Sequence, residues 1–319
     1  MPLLEINGLK TYYYTDIGVI KAVDDVNLIL SKGECLGIAG ESGCGKTTLV
    51  LSVLRLIKPP GRIVGGEIIF GGTNLLSLKS EEMRKIRWRK IAMVFQGAMN
   101  ALNPVHTVGS QIVEALMNHL DYSKSEAERK AVALLNSVGL NSAVFRSYPH
   151  ELSGGMKQRA LIAMALSCDP DILIADEPTT ALDVVTQAQT LKLLKDLQKQ
   201  RDLSIIIVSH DLSILAQICE KIAVMYAGKL IEYADAETIY GEPAHPYTAA
   251  LINAFPSVKG PKKPLSILAG EPPDMINLPP GCPFNPRCSL AREICREVEP
   301  KLVHLGSGRH VACHLCGEN

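Results

Sequence analysis

The sequence of 319 residues lacks an excess of either charge, a long apolar run and a secretory signal. Lys and Arg together number 33, and so do Asp and Glu, so the formal net charge is zero. Domains whose main partner is nucleic acid usually carry a basic excess, and this balance argues against that class. No apolar run reaches the ~20 residues that a membrane-spanning helix needs. The first residues, MPLLEINGLK, contain no basic stretch followed by an apolar one, so we expect a soluble, cytosolic protein.

Apolar, β-branched segments alternate with segments of helical periodicity. Strands are predicted at 26–30, 34–40 and 67–70 and, further along the chain, at 172–175 and 204–209. Continuous apolar strands that alternate with helices indicate an α/β fold with a mostly parallel sheet. After about residue 255, closely spaced prolines predict a linker into a small appended module.

The segment 40–48, GESGCGKTT, matches the phosphate-loop pattern G-x-x-x-x-G-K-[ST] between a predicted strand and a predicted helix. Its glycines allow backbone N–H groups to surround a phosphate, and the helix N-terminus adds partial positive charge. Lys46 is predicted to reach the β- and γ-phosphates of a nucleotide, and the Thr47 hydroxyl to bind Mg²⁺. The predicted binding residues of this loop are Ser42, Gly43, Cys44, Gly45, Lys46, Thr47 and Thr48.

Two carboxylates follow the apolar strand at 172–175. We expect Asp176, at the strand end, to bind Mg²⁺ directly or through water, and Glu177 to polarise an attacking water. A pair of solvated loop acids is the alternative interpretation, which the phosphate loop in the same chain makes less attractive.

The segment 152–159, LSGGMKQR, opens a predicted helix. Ser153 is a suitable N-cap, and Gly154 and Gly155 expose the backbone N–H groups of the first turn, which predicts a second anion site. Two phosphate-binding sites in one chain suggest that the second completes a nucleotide site on another subunit. From the residues alone, an ordinary capped helix explains the pattern equally well.

These motifs, followed by TTALD at 179–183 and SHD at 209–211, occur in the order of an ABC-transporter ATP-binding subunit, which residues 3–255 resemble. The resemblance implies an ABC-type P-loop ATPase with a RecA-like α/β core, an antiparallel β subdomain and a helical subdomain at about 97–160. Residues 1–255 would form the ATP-binding domain. Residues 256–319 would form a C-terminal extension with a small cysteine-rich module.

The resemblance also implies roles for single residues. Gln96 resembles the residue that senses Mg²⁺ and the attacking water and couples to the membrane partner. Asp183 resembles the loop acid that crosses the dimer interface, and His210 the histidine that contacts the γ-phosphate. The family usually has glutamine in LSGGQ where this sequence has Met156, so the expectation for that segment rests on Ser153 and Gly155.

An aromatic residue that stacks on adenine is implied near the N-terminus. Tyr13 resembles it, although the adjacent Tyr12 and Tyr14 are alternatives for the same role.

Other segments of the sequence resemble one branch of this family. The segments 98–116, 175–189 and 245–256, with NPRC at 285–288 and VACH at 311–314, resemble dipeptide/oligopeptide importer subunits. The resemblance implies a peripheral protein on the cytoplasmic face of the membrane that binds ATP and Mg²⁺. Its partners would be a sister ATPase, or a second copy of itself, two transmembrane permease subunits and, indirectly, an extracytoplasmic peptide-binding protein.

Five cysteines stand near the C-terminus, at 282, 288, 295, 313 and 316. Their gaps do not match the two-residue pairs of zinc ribbons, and four thiolates at irregular spacing suit an iron–sulfur cluster. Some members of this importer branch hold a [4Fe–4S] cluster in such a tail. That likeness implies Cys282, Cys288, Cys295 and Cys313 as ligands and leaves Cys316 spare, with zinc as the alternative metal.

The remaining cysteines, Cys35, Cys44, Cys168 and Cys219, are predicted to be structural. Cys44 is the exception in one respect, because its place in the phosphate loop predicts sensitivity of ATPase activity to thiol reagents.

Two other functions remain as alternatives, and a third is disfavoured. A non-transport ABC ATPase acting on nucleic acid or ribosomes, or an iron–sulfur redox protein with ATPase activity, are the rival interpretations. A small GTPase is disfavoured because the sequence has no NKxD motif for base recognition.

Overall fold

The computed structural model describes residues 2–97, 101–254 and 270–316. Its strands are β1 (Leu4–Thr15), β2 (Gly18–Leu30), β3 (Cys35–Ala39), β4 (Gly61–Phe70), β5 (Thr73–Asn74), β6 (Ile91–Val94), β7 (Ile172–Asp176), β8 (Ser204–Ser209), β9 (Lys221–Tyr226), β10 (Lys229–Asp235), β11 (Val303–His304) and β12 (His310–Val311). Its α-helices are α1 (Lys46–Val53), α2 (Ser80–Ile86), α3 (Val108–His119), α4 (Lys124–Ser137), α5 (Gly154–Ala165), α6 (Val184–Arg201), α7 (Leu212–Ile218), α8 (Ala236–Gly241), α9 (Pro246–Ala254) and α10 (Ile294–Glu297).

The chain divides into two compact units. The first combines Met1–Ser31, Cys35–Ser77 and Val208–Asn319, and the second combines Lys32–Glu34 and Leu78–Ile207.

An antiparallel sheet in the first unit has the strand order β2-β1-β4-β5. Along β1, Leu4, Ile6 and Leu9 are buried, and Leu4 pairs with Leu30 of β2 and with Phe70 of β4. This sheet supplies the antiparallel part of the expected fold.

The second sheet of the first unit carries the phosphate loop. β3 runs parallel to β9, β10 is antiparallel to β9, and β12 and β11 follow at the edge. Every residue of β3 is buried, which accounts for its uninterrupted apolar sequence.

The C-terminal extension joins this sheet rather than standing apart from it. In β12, Val311 pairs with Glu232 of β10, and Arg309 forms an ion pair with the fully buried Glu232 carboxylate at 2.7 Å. Pairing satisfies the backbone groups that β10 would otherwise expose at its edge. The predicted domain boundary at 255/256 lies outside the described residues and stays a prediction.

In the second unit, β6 and β7 are parallel, and β7 lies between β6 and β8. The N-terminus of α3 is capped by Thr107, and Ser123 and Glu126 form a capping box at the start of α4. Helices α3, α4 and α5 belong to this unit, and α3 and α4 lie within the range expected for the helical subdomain.

The strands predicted from the sequence correspond to parts of β2, β3, β4, β7 and β8, whereas β9, β10, β11 and β12 were not anticipated. In the described part of the chain, no helix is both long and apolar enough to span a bilayer.

Candidate functional site

The phosphate loop connects β3 to α1 in the first unit. Gly40, Gly43 and Gly45 have φ values of 145°, 82° and 107°, a region that side chains with a Cβ rarely adopt. A Cβ at Gly45 would also overlap the carbonyl oxygen of Ala22, and one at Gly40 the carbonyl oxygen of Met225. The predicted loop is therefore confirmed as a tight backbone turn at the start of a helix.

Lys46 is buried inside this loop. Its Nζ donates hydrogen bonds to the carbonyl oxygens of Gly40, at 2.7 Å, and Glu41, at 2.8 Å. Ser42 and Gly43 are exposed, while Thr47 and Thr48 are half-buried. The loop thus holds a cation at its centre and an accessible backbone at its tip.

Among the three adjacent tyrosines, Tyr13 reaches the helix that follows the loop. Its hydroxyl lies 3.5 Å from Oγ1 of Thr48. Tyr12 donates to Asp24 at 2.6 Å, and the exposed Tyr14 packs under the guanidinium of Arg62. Alternation along β1 separates Tyr13 from its two neighbours.

Cys44 lies in the loop but is 5% exposed. Burial raises the pKa of its thiol above the usual range, which disfavours the reactive thiolate. Burial therefore removes the basis for the predicted thiol-reagent sensitivity. Cys35, Cys168 and Cys219 are buried as well, as expected of structural cysteines.

His210 is exposed at the end of β8. The next residue, Asp211, caps α7 by accepting a 2.8 Å hydrogen bond from the Ser213 amide. This cap anchors the backbone next to the histidine.

In the second unit, Asp176 ends β7 and is 1% exposed. Glu177 follows in the left-handed region, with φ 49°. Its carboxylate accepts a 2.6 Å hydrogen bond from the Thr180 hydroxyl. Two successive carboxylates therefore stand at the end of a buried strand, as the sequence predicts, with Asp176 buried in the strand and Glu177 in the turn that follows it. Gln96, also in this unit, is exposed just beyond β6.

Ser153 is the N-cap of α5, as predicted, and its side chain accepts a hydrogen bond from the Met156 amide at 3.3 Å. Because this bond uses the backbone of Met156, the side chain at that position does not determine it.

Thr186, which the sequence interpretation did not include, contacts two of the predicted site residues, Gly155 and Asp183. Its hydroxyl and amide donate to the Asp183 carboxylate at 2.6 and 3.0 Å, which caps α6. These hydrogen bonds lower the pKa of Asp183 and keep it ionised. A Cβ at Gly155 would overlap Cγ2 of Thr186. The first turns of α5 and α6 therefore lie against each other, with Thr186 of α6 at the contact.

Four of the C-terminal cysteines, Cys282, Cys288, Cys295 and Cys313, line one small cavity. Burial raises the pKa of Cys282 to about 11 and that of Cys313 to about 12. The Cys316 thiol instead lies 3.6 Å from the Ala244 carbonyl oxygen. Within the described ranges, no three Cys, His, Asp or Glu side chains form a ligand set for a single metal ion. The four cysteines that line this cavity are of the residue type that supplies thiolate ligands, although their side chains are not arranged as a single-ion site.

Comparisons with known proteins identify the chain. The family described as ABC transporter matches residues 23–180, and the family described as oligopeptide/dipeptide transporter, C-terminal region, matches residues 231–295. A probable peptide ABC transporter ATP-binding protein, y4tR, of Sinorhizobium fredii is 45% identical over 99% of this chain and 96% of its own length. The dipeptide transport ATP-binding protein DppD of Escherichia coli is 43% identical over 98% and 97%.

Solved structures show the same fold. The dimeric ATP-binding cassette MJ0796, in a post-hydrolysis state bound to ADP and Pi, is 30% identical with a TM-score of 0.66, covering 73% of this chain and 98% of that one. The structure of cbiO1 from Clostridium perfringens, part of an ABC transporter complex, is 27% identical with a TM-score of 0.67, covering 76% and 91%. The chain therefore has the α/β fold of an ABC ATPase cassette and belongs to the ATP-binding subunits of the oligopeptide/dipeptide ABC importers.

Proposed function

We propose that the loop at 40–48 binds the phosphates of the ATP that this importer subunit hydrolyses. The observation that carries the proposal is the buried Lys46, whose Nζ is held by two loop carbonyls while Ser42 and Gly43 remain exposed. Ligand phosphates would replace these carbonyls as partners of the ammonium, and the loop N–H groups would add further donors. Tyr13 is the residue that we assign to adenine stacking. Equilibrium titration of the purified chain with a fluorescent ATP analogue tests the assignment.

For the reaction itself, we assign Mg²⁺ binding to Thr47, Asp176 and Gln96. The ion would neutralise charge on the β- and γ-phosphates. Glu177 would accept a hydrogen bond from the attacking water, and His210 would donate one to the γ-phosphate. The short bond from Thr180 to Glu177 supports this role, because it orients the carboxylate.

Ser153, Gly154, Gly155 and Asp183 are assigned to the nucleotide bound by a second cassette. The helix N-terminus offers backbone donors to that γ-phosphate. Thr186 contacts both Gly155 and Asp183. Because of these two contacts, the first turn of α5 and Asp183 would move together as one surface. ATP would then bridge two cassettes, and its hydrolysis would separate them.

Gly155→Ala tests this surface. The new Cβ meets Thr186 Cγ2, so we expect ATPase activity of the assembled dimer to fall about tenfold, the ratio that corresponds to ~1.4 kcal/mol. Nucleotide binding to the phosphate loop of the separate chain should not change. Thr186→Ser removes the methyl group and keeps the hydroxyl that bonds Asp183, so the Gly155→Ala/Thr186→Ser protein should regain activity. Equal activity of Gly155→Ala and of Gly241→Ala, where a Cβ meets nothing within 4 Å, would contradict the assignment.

Membership of this family supports the transporter assembly that we propose. The chain powers import of dipeptides or oligopeptides, and we propose that it pairs with a sister ATPase, or with its own copy, on the cytoplasmic face of the membrane. Two permease subunits would receive the closing motion, and an extracytoplasmic binding protein would deliver the peptide. Co-purification with the permease subunits from detergent extracts tests this assembly.

We further propose that Cys282, Cys288, Cys295 and Cys313 hold a [4Fe–4S] cluster, with zinc as the alternative. The shared cavity supports this ligand set, and the separate contact of Cys316 supports its exclusion. A bound cluster would cross-link a segment that has little apolar core of its own.

Anaerobic purification followed by metal and acid-labile sulfide analysis checks the cluster. We expect iron, sulfide and a broad absorption at about 400 nm. Cys282→Ser should lose them, whereas Cys316→Ser, the matched control, should retain them. A colourless protein with one zinc would replace the cluster by a zinc site.

A further inference from the structure

The phosphate loop is bound directly by an arginine of the C-terminal extension. Arg287 donates through Nη1 to Oε2 of Glu41 at 2.6 Å and through Nη2 to Oε1 at 3.0 Å. The arginine side chain is 6% exposed and the Glu41 side chain 24%. Two parallel charge-assisted hydrogen bonds determine orientation as well as distance. Glu41 is the second residue of the loop, so its side chain direction is set by a residue 246 positions away.

The backbone of Glu41 is held at the same time. Its amide donates to the Tyr247 hydroxyl oxygen at 2.8 Å, and its carbonyl oxygen accepts from Lys46 Nζ at 2.8 Å. The Lys46 ammonium is therefore bonded to a residue whose amide is anchored by α9 and whose carboxylate is anchored by the extension. A displacement of Glu41 would change the position of the cation that we assign to the phosphates.

An aromatic cluster lies beside this contact. The rings of Tyr226, Tyr247 and Phe284 pack edge to face, with centroids 4.6 to 5.3 Å apart. The Arg287 guanidinium lies 6.0 Å from the centre of the Tyr226 ring. Its Nη1 also donates to the Tyr226 hydroxyl at 3.4 Å, so the guanidinium is held by Tyr226 as well as by Glu41.

The position of Arg287 depends in turn on the cysteine cavity. The residue ends the 3-10 helix Asn285–Arg287, directly between Cys282 and Cys288. Asn285 Nδ2 donates to the Cys282 carbonyl oxygen at 2.8 Å, and the Cys282 amide donates to the Cys295 carbonyl oxygen at 2.8 Å. The short segment that carries Arg287 therefore begins and ends at two residues that line the cavity, Cys282 and Cys288.

We propose that Arg287 is a positioning residue for the phosphate loop, through which the cysteine-containing extension sets the affinity of the loop for ATP. The proposal rests on the assignment of the loop at 40–48 to the ATP phosphates. Paired with Arg287, the Glu41 carboxylate has its charge compensated by two hydrogen bonds from the guanidinium. Unpaired, it would be a negative charge in an anion-binding loop and would attract the lysine that the phosphates need.

Substitution at both partners of the pair separates positioning from a merely structural role. Arg287→Met keeps an apolar stem against Tyr226 and removes the charge. We expect the Kd of the full-length chain for a fluorescent ATP analogue to rise about tenfold, equivalent to ~1.4 kcal/mol, with kcat at saturating ATP nearly unchanged. In Glu41→Gln/Arg287→Met no charge is left unpaired, so the Kd should return to within about threefold of the wild-type value. Arg296→Ala, at an exposed arginine of α10, is the matched control.

Two results would overturn the proposal. A Kd of Arg287→Met equal to that of Arg296→Ala would show that the pair does not affect the loop. A double variant as impaired as Arg287→Met would assign the residue to the fold alone. The Kd of Lys46→Ala is measured in parallel. If Lys46→Ala binds the analogue with the wild-type Kd, the assignment of the phosphate loop has failed. If Lys46→Ala loses binding while Arg287→Met keeps the wild-type Kd, only the proposal for Arg287 is rejected.

Substitution of a cavity cysteine tests whether the affinity for ATP depends on the extension. Cys288→Ser, next to Arg287, should raise the Kd for the same analogue by a similar factor. In the Glu41→Gln/Arg287→Met background, the same substitution should leave the Kd unchanged, because the connection to the loop is already absent. An equal rise in both backgrounds would show that the extension does not act through Arg287.

Discussion

Lys46→Ala is expected to weaken ATP binding by at least about 100-fold, since two or more charge-assisted hydrogen bonds of 1.5–3 kcal/mol each are lost. The ammonium is buried and bonded to the carbonyl oxygens of Gly40 and Glu41. Its removal takes away the cation that we assign to the phosphates. It also leaves two inward-facing loop carbonyls without this donor. Both effects act on binding, so the deficit should appear in the equilibrium Kd for ATP and not only in turnover.

The matched control for this experiment is Lys58→Ala. Lys58 is exposed beyond α1, and its loss removes the same charge from the chain without touching the loop. Circular dichroism establishes that both variants are folded. Binding of ATP by Lys46→Ala within about threefold of the Lys58→Ala value would reject the assignment of this loop, because ~0.6 kcal/mol is less than one such hydrogen bond contributes.

Glu177→Gln is expected to reduce ATP hydrolysis by about 10²–10⁴-fold, the usual contribution of a general base, while ATP binding persists. The amide oxygen of glutamine can still accept the hydrogen bond from Thr180, so the strained turn at φ 49° should be preserved. What the amide cannot do is accept a proton from water. With hydrolysis blocked and binding intact, ATP should hold the two cassettes together.

Phosphate release and size-exclusion chromatography in Mg-ATP measure the two halves of this prediction. Glu128→Gln, at a half-buried position of α4, is the control for loss of one carboxylate in the same unit. Wild-type turnover in Glu177→Gln would assign the water-activating role to another residue. Loss of turnover without a stable ATP-bound dimer would leave the catalytic role in place and contradict the proposed bridging by nucleotide.

Much of the candidate site follows from short-range patterns in the sequence. The turn at 40–48 needs backbone conformations that glycine adopts readily and other residues rarely do, so its glycines predict it. Lys46 is the first residue of α1. Ser153 and Asp183 are N-caps because their side chains accept from amides three residues ahead. In each case the interacting atoms lie within a few residues of one another, so the local sequence carries the information.

Contacts between distant segments were not predictable in the same way. Thr186 is an unremarkable helix residue until α5 packs against α6 and brings Gly155 to its methyl group. Strand β12 follows a stretch rich in turns, and it is held between the edge of β10 and the short strand β11. The thiol of Cys44 has the sequence context of a reactive cysteine, and burial in the folded loop overrides that context.

The sequence by itself determined the chemistry of this protein: a phosphate loop with its lysine, two carboxylates at a strand end, a capped glycine-rich helix start and a set of C-terminal thiols. Each depends on the identity and spacing of neighbouring residues, which folding does not alter. Only the tertiary structure decided that Arg287 pairs with Glu41 and that four thiols share one cavity. Both join residues far apart in the chain, which only packing of the folded chain brings together. A buried charge such as the Arg287 guanidinium is then stabilised by the oppositely charged partner that packing places beside it.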